Sequence, residues 1–268
     1  VTFTSIDTNQ AWDAIYFYNG TNDDLTTLEN SVFEYASANG AIHCSYYANP
    51  TVINNTFRNN VRGIHVNVEG GWPLVAGNTF TGNNLPVRTY SRNIDENLYD
   101  NIYEDNFDTE GNPSNYIYVY GTAGDDWRLG VNTTYDWLAD GAPYRMMGDT
   151  EVWQDGPEEQ MAILKIYPGA TLVFEANKNI KIGRPNQDHS QVGALQVDGV
   201  TFTSVDTNQT WGGIVFYNGT NDELTMIENS VFEYANDGAI LCSFYASPTV
   251  INNTFRNNVR GIHVNVEG

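Results

Sequence analysis

The sequence predicts an all-β fold, a parallel β-solenoid with coils of 22–24 residues, and three observations lead there. Aromatic residues recur at a short fixed spacing: Phe33, Phe57, Phe80 and Tyr103 lie 24, 23 and 23 residues apart. Two further tracks keep the same step, with Asn55, Asn78 and Asn101 each 23 apart and Ile42, Ile64 and Val87 spaced by 22 and 23. The runs between them are short, alternate with period 2, and are bounded by Gly, Asn and Pro, the punctuation of turns.

Each element of this reading has a physical reason. A coil this short cannot bury its own apolar face, so neighbouring coils stack and close a shared core. An inward Asn at a repeated position then forms a ladder, each amide bonding its copy one coil on. In 63–69 the period-2 rule turns Ile64, Val66 and Val68 inward and His65, Asn67 and Glu69 outward. Ile53, Asn55 and Phe57 share a face by the same rule. The abundant Asn, Gly, Thr and Tyr are mediocre helix formers, which speaks against long helices.

A longer repeat lies over the short one. Residues 200–268 repeat 1–70 with one deletion, opposite Ala38, and 13 differences in 69 aligned positions. The period is 198–199 residues, so the chain reads as one period plus part of a second, an excerpt from a tandem array. We expect coils over 1–120, a connector or cap over 121–160 whose Trp127 and Trp137 cover coil ends, and coils again over 161–268. Residues 104–114 read as a loop inserted into a coil.

Charge and composition exclude several classes. The net charge of −21 repels phosphate backbones and argues against nucleic-acid partners. No apolar run approaches the roughly 18 residues of a membrane helix, so no membrane span is expected in this segment. Aromatic residues make up 13%, too many for a disordered acidic tail.

The progression from Trp137 through Ala142-Pro143-Tyr144, Val152 and Leu164-Lys165-Ile166-Tyr167-Pro168-Gly169 carries a resemblance. It continues through Phe174, Ile180-Lys181-Ile182, Gly193-Ala194-Leu195, Val200-Thr201-Phe202 and Trp211-Gly212-Gly213-Ile214 into the Asn-x-Phe coils. This pattern resembles right-handed parallel β-helix repeat proteins of the pectin-lyase-like superfamily, especially large cell-surface members. The resemblance covers nearly the whole chain and implies a right-handed helix. It says little about activity, since that superfamily holds polysaccharide lyases and hydrolases, tailspikes, adhesins and surface-layer components.

The residues that could carry chemistry are few. Asp23-Asp24 and Asp222-Glu223 sit in turns after Asn-Gly-Thr, and Asp108 with Glu110 lies in a stretch that mimics the first half of a calcium loop. These six are the candidate calcium ligands, although Ile117 stands where such a loop needs its final Glu. Arg58, Arg62, Arg256 and Arg260 have no Lys near them in sequence, and no catalytic motif is recognised, so an enzyme is not expected. His43 is Leu241 in the second copy, which favours packing, while His65 and His263 read as surface residues. Cys44 and Cys242 read as buried small hydrophobes, with pairing between chains as the alternative and an intrachain disulfide excluded by their separation. Asn19, Asn54, Asn218 and Asn252 are exposed glycosylation candidates. Tyr116, Tyr118 and Tyr120 alternate with Ile117 and Val119 and are the interface candidates, either covered by 121–160 or free for a fibre contact or a sugar.

The expected function is structural: a repeat unit of an extracellular, self-assembling β-solenoid filament or surface layer, with adhesion as an associated role. Its partners would be further copies, head-to-tail or lateral, and glycans or other cell-surface polymers. The alternatives are a glycan-binding adhesin module and a polysaccharide lyase or hydrolase.

Overall fold

The computed structural model describes residues 1–67, 71–121, 134–155, 161–184 and 191–265. The chain divides into two compact units, 1–119 with 140–144, and 120–139 with 145–268. Short parallel strands build both, and regular helix is confined to the single 3-10 turns Asp23–Leu25 and Ser91–Asn93 among the described residues.

In the first unit each coil contributes one strand to each of three parallel stacks. Thr2–Phe3, Val32–Glu34, Thr56–Arg58, Thr79–Thr81 and Ile102–Glu104 form one stack. Thr27–Glu29, Thr51–Ile53, Leu74–Ala76 and Leu98–Tyr99 form the second. Ile15–Phe17, Ile42–Cys44, Arg62–Val66 and Leu85–Tyr90 lead the third. The 23-residue step puts like on like. Phe33 pairs in register with Phe57, Phe57 with Phe80, and Phe80 with Tyr103. Their rings stack at 4.9, 4.9 and 5.1 Å, close to the spacing of strands in a sheet.

Two asparagine ladders lie at the corners flanking the Phe stack. Asn78 Oδ1 accepts from the Asn55 backbone N–H at 2.9 Å and from its side chain at 3.1 Å, and Asn101 Oδ1 does the same for Asn78 at 3.0 and 3.1 Å. The expected ladder is therefore present. A second one was missed, although its step is the same: Asn60, Asn83 and Asn106 are linked through backbone and side-chain amides in the same way. Each Nδ2 also donates to a carbonyl of the coil before, as Asn78 does to Val52 and Asn83 to Phe57. The residue ahead of each ladder Asn turns the corner at positive φ: Asn54, Gly77 and Asp100 on one side, Asn59, Gly82 and Asp105 on the other. Gly, Asn and Asp bear that conformation best, which explains the Asn-Asn doublets.

Both ladders end on a substitute. Asp140 accepts from Asn101 N at 2.9 Å, from Asn101 Nδ2 at 3.0 Å and from the Tyr103 hydroxyl at 2.9 Å. Asn115, only nine residues after Asn106, takes the next rung through 3.1 and 2.9 Å bonds. The intervening loop is thus looped out of the coil as expected, closed by the Phe107–Pro113 bridge.

The second unit repeats the plan. Thr171–Phe174, Thr201–Ser204, Val231–Glu233 and Thr254–Arg256 stack in parallel, as do Thr134–Trp137, Ala162–Ile166, Gln191–Asp198, Met226–Glu228 and Thr249–Ile251. Thr150–Val152, Asn179–Ile182, Gly213–Phe216, Ile240–Ser243 and Ile262–Asn265 form its third stack. The two copies are equivalent bond for bond at the corners: Asn55 and Asn253 cap Ser31 N and Ser230 N, and Asn60 and Asn258 cap Ala36 N and Ala235 N. Trp12 and Trp211 each donate their indole N–H to the carbonyl of Glu34 or Glu233 at 2.7 Å.

One boundary needs correcting. The stretch expected as a connector, 121–160, holds Thr134–Trp137 and Thr150–Val152, which pair in parallel with Ala162–Ile166 and Asn179–Ile182. Those residues are coil, and Trp137 is buried in its core. Trp127 lies outside the described residues, as do Val68 and Glu69.

Candidate functional site

The outer surface of the second unit carries a recess of roughly 480 Å3. Register explains its lining. Lys165, Gln196 and Met226, which line it, are successive partners across neighbouring strands, and Asp136 is the partner of Lys165 on the strand before. Asp198 pairs with Glu228. Leu224 and Met226 are exposed on the recess, and Glu223 stands at its rim. The Tyr167 hydroxyl donates to Asp136 at 2.7 Å, and Lys165 Nζ lies 5.9 Å from the Tyr167 ring centre. Asn229 Nδ2 donates to Asp198 Oδ1 at 2.8 Å. The result is an apolar floor with one ammonium and several carboxylates around it, suited to an amphipathic polar ligand. Of these residues only Glu223 was singled out from sequence. The others were hidden because strands far apart in sequence had to be aligned before Asp198 met Glu228.

A polar column runs along the third stack of the first unit. Tyr16, His43, His65 and Arg88 are register partners in turn. His43 and His65 rings are 4.5 Å apart, and Arg88 Nη1 meets His65 Nε2. The reading of His65 as a surface residue is corrected: it faces away from the core yet is only 6% exposed. The Gly40 turn and Arg88 cover it, so close that a Cβ on Gly40 would lie 3.0 Å from that of His65. Burial, with Arg88 beside it, pushes the His65 pKa down to about 3. His43 packs as expected; burial also lowers its pKa, and its ring bonds the Asn39 carbonyl and Ser45 Oγ at 2.9 and 3.0 Å.

The candidate calcium ligands are not gathered. Asp23 takes the Asn49 backbone and side-chain amides at 2.8 and 3.2 Å, and Asp222 takes Ser247 N at 2.8 Å. Asp108 takes Glu110 N and Asn112 N at 2.9 and 2.8 Å, an Asx turn closed on itself. Asp24 and Glu110 are exposed. Among the described residues, no three His, Cys, Asp or Glu side chains lie where they could hold a metal ion.

Other sites fall as follows. Tyr118 is buried, its hydroxyl 2.6 Å from Ser114 Oγ, so three free tyrosines do not line an outer face; Tyr116 and Tyr120 are half-buried. Asn19, Asn54 and Asn252 are exposed, while Asn218 is half-buried. Cys44 and Cys242 are unpaired and buried. Arg58 pairs with Glu34, Arg256 with Glu233 and Arg260 with Asp237.

A different aromatic surface went unnoticed in the sequence. Tyr18, Tyr46 and Tyr47 are 47, 50 and 58% exposed, and Tyr18 and Tyr46 rings lie 6.1 Å apart. Tyr46 and Tyr47 are the central pair of a tight turn closed by Ala48 N–H donating to the Ser45 carbonyl at 3.3 Å, and their φ angles are 51° and 64°. A turn with both central residues at positive φ normally takes Asn-Gly. Two tyrosines there cost roughly 1–2 kcal/mol each in backbone strain. The second copy does the same with Phe244 and Tyr245 at 52° and 65°.

Residues 1–126 match the family described as "Right handed beta helix region". No curated protein and no solved structure matches the chain significantly. Parallel coils of the same build recur from Ala162 to Asn265, and the chain folds as a parallel β-helix whose first 126 residues match the right-handed type.

Proposed function

We propose that this chain is a structural repeat of an extracellular β-helix rod or surface layer, with adhesion as an associated role. The observation that carries the reading is the equivalence of the copies: the same two corner amides are capped by the same two asparagines in 1–67 and in 200–265. Each coil thus carries the side chains that satisfy the coil before it, and an array of such coils extends by repetition. The charge of −21 keeps neighbouring rods apart in solution. Among the described residues no helix is long and apolar enough to cross a membrane.

Cryo-electron microscopy of the native material tests this. The expected result is long rods with an axial repeat of about 4.8 Å and a superperiod set by one 199-residue unit. Antibody labelling of intact cells should reach the chain. Short isolated particles, or a chain reached only after lysis, would overturn the proposal.

The recess around Lys165 favours a second reading, a polysaccharide lyase or hydrolase. Asp198 and Glu228 stand on adjacent strands beside an ammonium, a pairing that acid–base chemistry can use. Turnover of a polysaccharide panel that disappears in Asp198→Asn and Glu228→Gln would support it, and inertness of the intact chain would end it.

A further inference from the structure

The repeated aromatic turn is the surface feature that the coil architecture does not explain. A rod needs a tight turn after Cys44 and Cys242, and Asn-Gly would supply it without strain. Instead Tyr46-Tyr47 and Phe244-Tyr245 hold large rings in the left-handed region. Phe244 and Tyr245 are 36 and 74% exposed, and the Tyr217 and Phe244 rings lie 6.4 Å apart at the same 37° tilt as Tyr18 and Tyr46. The rings therefore contribute little to the core, and the turn does not need them.

The differences between the copies show which features are kept. Tyr46 becomes Phe244, so the ring is retained and its hydroxyl is not. Asn49 becomes Ser247, yet both bond the turn in the same two ways. Each donates its backbone N–H to the carboxylate of Asp23 or Asp222 at 2.8 Å, and its side chain to the carbonyl of Tyr47 or Tyr245 at 3.1 or 3.3 Å. The carboxylates read from sequence as calcium ligands are thus anchors of the aromatic turn. Beside them, Asp24 becomes Glu223, an exposed carboxylate in both copies.

The geometry points to a glycan-binding site at each aromatic turn, Tyr18–Tyr46–Tyr47 and Tyr217–Phe244–Tyr245, for a sugar polymer whose rings are uncharged or carry an amine. Fixed, exposed aromatic rings offer apolar faces to the C–H face of a pyranose at low cost in side-chain entropy. An anchored turn presents them already in place, so binding does not have to order them. The neighbouring carboxylate accepts hydroxyl or ammonium hydrogens. The same carboxylate and the overall charge repel uronate, sialate and sulfate polymers. Weak sites repeated along an array add up by multivalency. This deepens the adhesive part of the reading above and rests on it.

The test is binding of the full chain to cellohexaose, a glucosamine hexamer and polygalacturonate by calorimetry. One variant replaces both ring pairs with the favoured turn, Tyr46→Asn, Tyr47→Gly, Phe244→Asn and Tyr245→Gly, which keeps the backbone path; a second is Tyr46→Phe. The expected result is binding of at least one of the first two oligomers, a loss of tenfold or more in the four-site variant, an unchanged affinity within twofold for Tyr46→Phe, and no binding of polygalacturonate. Absence of binding to both hexamers, equal affinity in the four-site variant, or comparable binding of polygalacturonate would overturn the site. Rod formation by microscopy does not depend on these rings, so a native chain that forms intact rods yet binds neither hexamer rejects the glycan site alone.

Discussion

The side-chain amide of Asn39 donates to Asp13 at 2.6 Å, and the two residues change together between the copies, to Asp237 and Gly212. The Tyr16 hydroxyl also donates to Asp13, at 3.0 Å, and the Asn39 carbonyl meets His43 Nδ1. Tyr16 and His43 become Val215 and Leu241. Ser37, whose hydroxyl bonds Asp13 Oδ1 at 3.2 Å, becomes Asn236, so five of the 13 differences belong to one contact set. Removing a single member leaves the others with unpaired polar atoms, whereas removing the set leaves few.

That coupling is measurable. Asp13→Gly, Tyr16→Val and His43→Leu should each destabilise the chain, and the triple variant should cost less than their sum by at least about 1 kcal/mol. Urea midpoints of the three single variants and the triple decide it. Simple additivity would mean that these three positions drifted independently.

The ladder asparagines carry more. Asn78 is fully buried, accepts two bonds from Asn55, and donates to Asn101 Oδ1 and to the Val52 carbonyl. Asn78→Ala orphans a backbone N–H, a carbonyl and parts of two amides, each worth roughly 1–3 kcal/mol when buried. A loss of at least about 3 kcal/mol is expected. Asn54→Gly, one residue away at a φ of 55°, should change stability by only a few tenths. Equal effects at Asn54 and Asn78 would contradict the ladder's role.

Stability should fall on mild acidification, because of His65. Its folded pKa, about 3, lies below the ordinary 6.5, so the unfolded chain binds the proton more readily. The contribution is intact above about pH 6.5 and declines as pH drops toward 3, by about 2 kcal/mol at pH 5. Arg88, Arg62 and His43 are the charged and titratable neighbours that oppose a proton there. His65→Gln should flatten the dependence between pH 7 and 5. The depressed carboxyls of Asp13, held by Asn39, and Glu34, held by Arg58, act only below the ordinary carboxylate range. An unchanged slope in His65→Gln would place the titration elsewhere.

The two thiols should be inert. Cys44 is fully buried, and burial raises its pKa far above the ordinary range; Cys242 is pushed up to about 11. Native labelling at pH 8 should be slower than labelling in urea by a factor on the order of a hundred. A disulfide-linked dimer on a non-reducing gel would revive pairing between chains.

How far the sequence reached depends on what each pattern encodes. Phe33, Phe57 and Phe80 and the Asn55 ladder were legible because a fixed step is a property of the chain itself. Asn60, Asn83 and Asn106 carry the same step and were open to the same reasoning. His65 was misplaced because alternation assigns a face and does not say whether another turn covers it; Gly40 and Arg88 do. Asp140 at the end of one ladder, and Asp198 beside Glu228, arise from register between strands distant in sequence. The aromatic turn escaped because nothing in Ser45-Tyr46-Tyr47-Ala48 signals positive φ.

That last feature yields a prediction opposite in sign to most substitutions. If the tyrosines occupy turn positions better suited to Asn and Gly, replacing them removes backbone strain without removing core. Tyr46→Asn with Tyr47→Gly should stabilise the chain by about 1–2 kcal/mol, since Asn and Gly tolerate the left-handed region. Ala48 N–H and the Asp23–Asn49 bonds keep the turn closed in the variant. The gain is less than the full strain because the Tyr46 ring rests against Tyr18, and that contact disappears. Tyr46→Ala with Tyr47→Ala serves as the contrast: the rings are gone but a Cβ remains at positive φ, so no gain is expected. A midpoint for the Asn-Gly chain below that of the native protein would show that the rings hold the turn together, and the strain argument would fail.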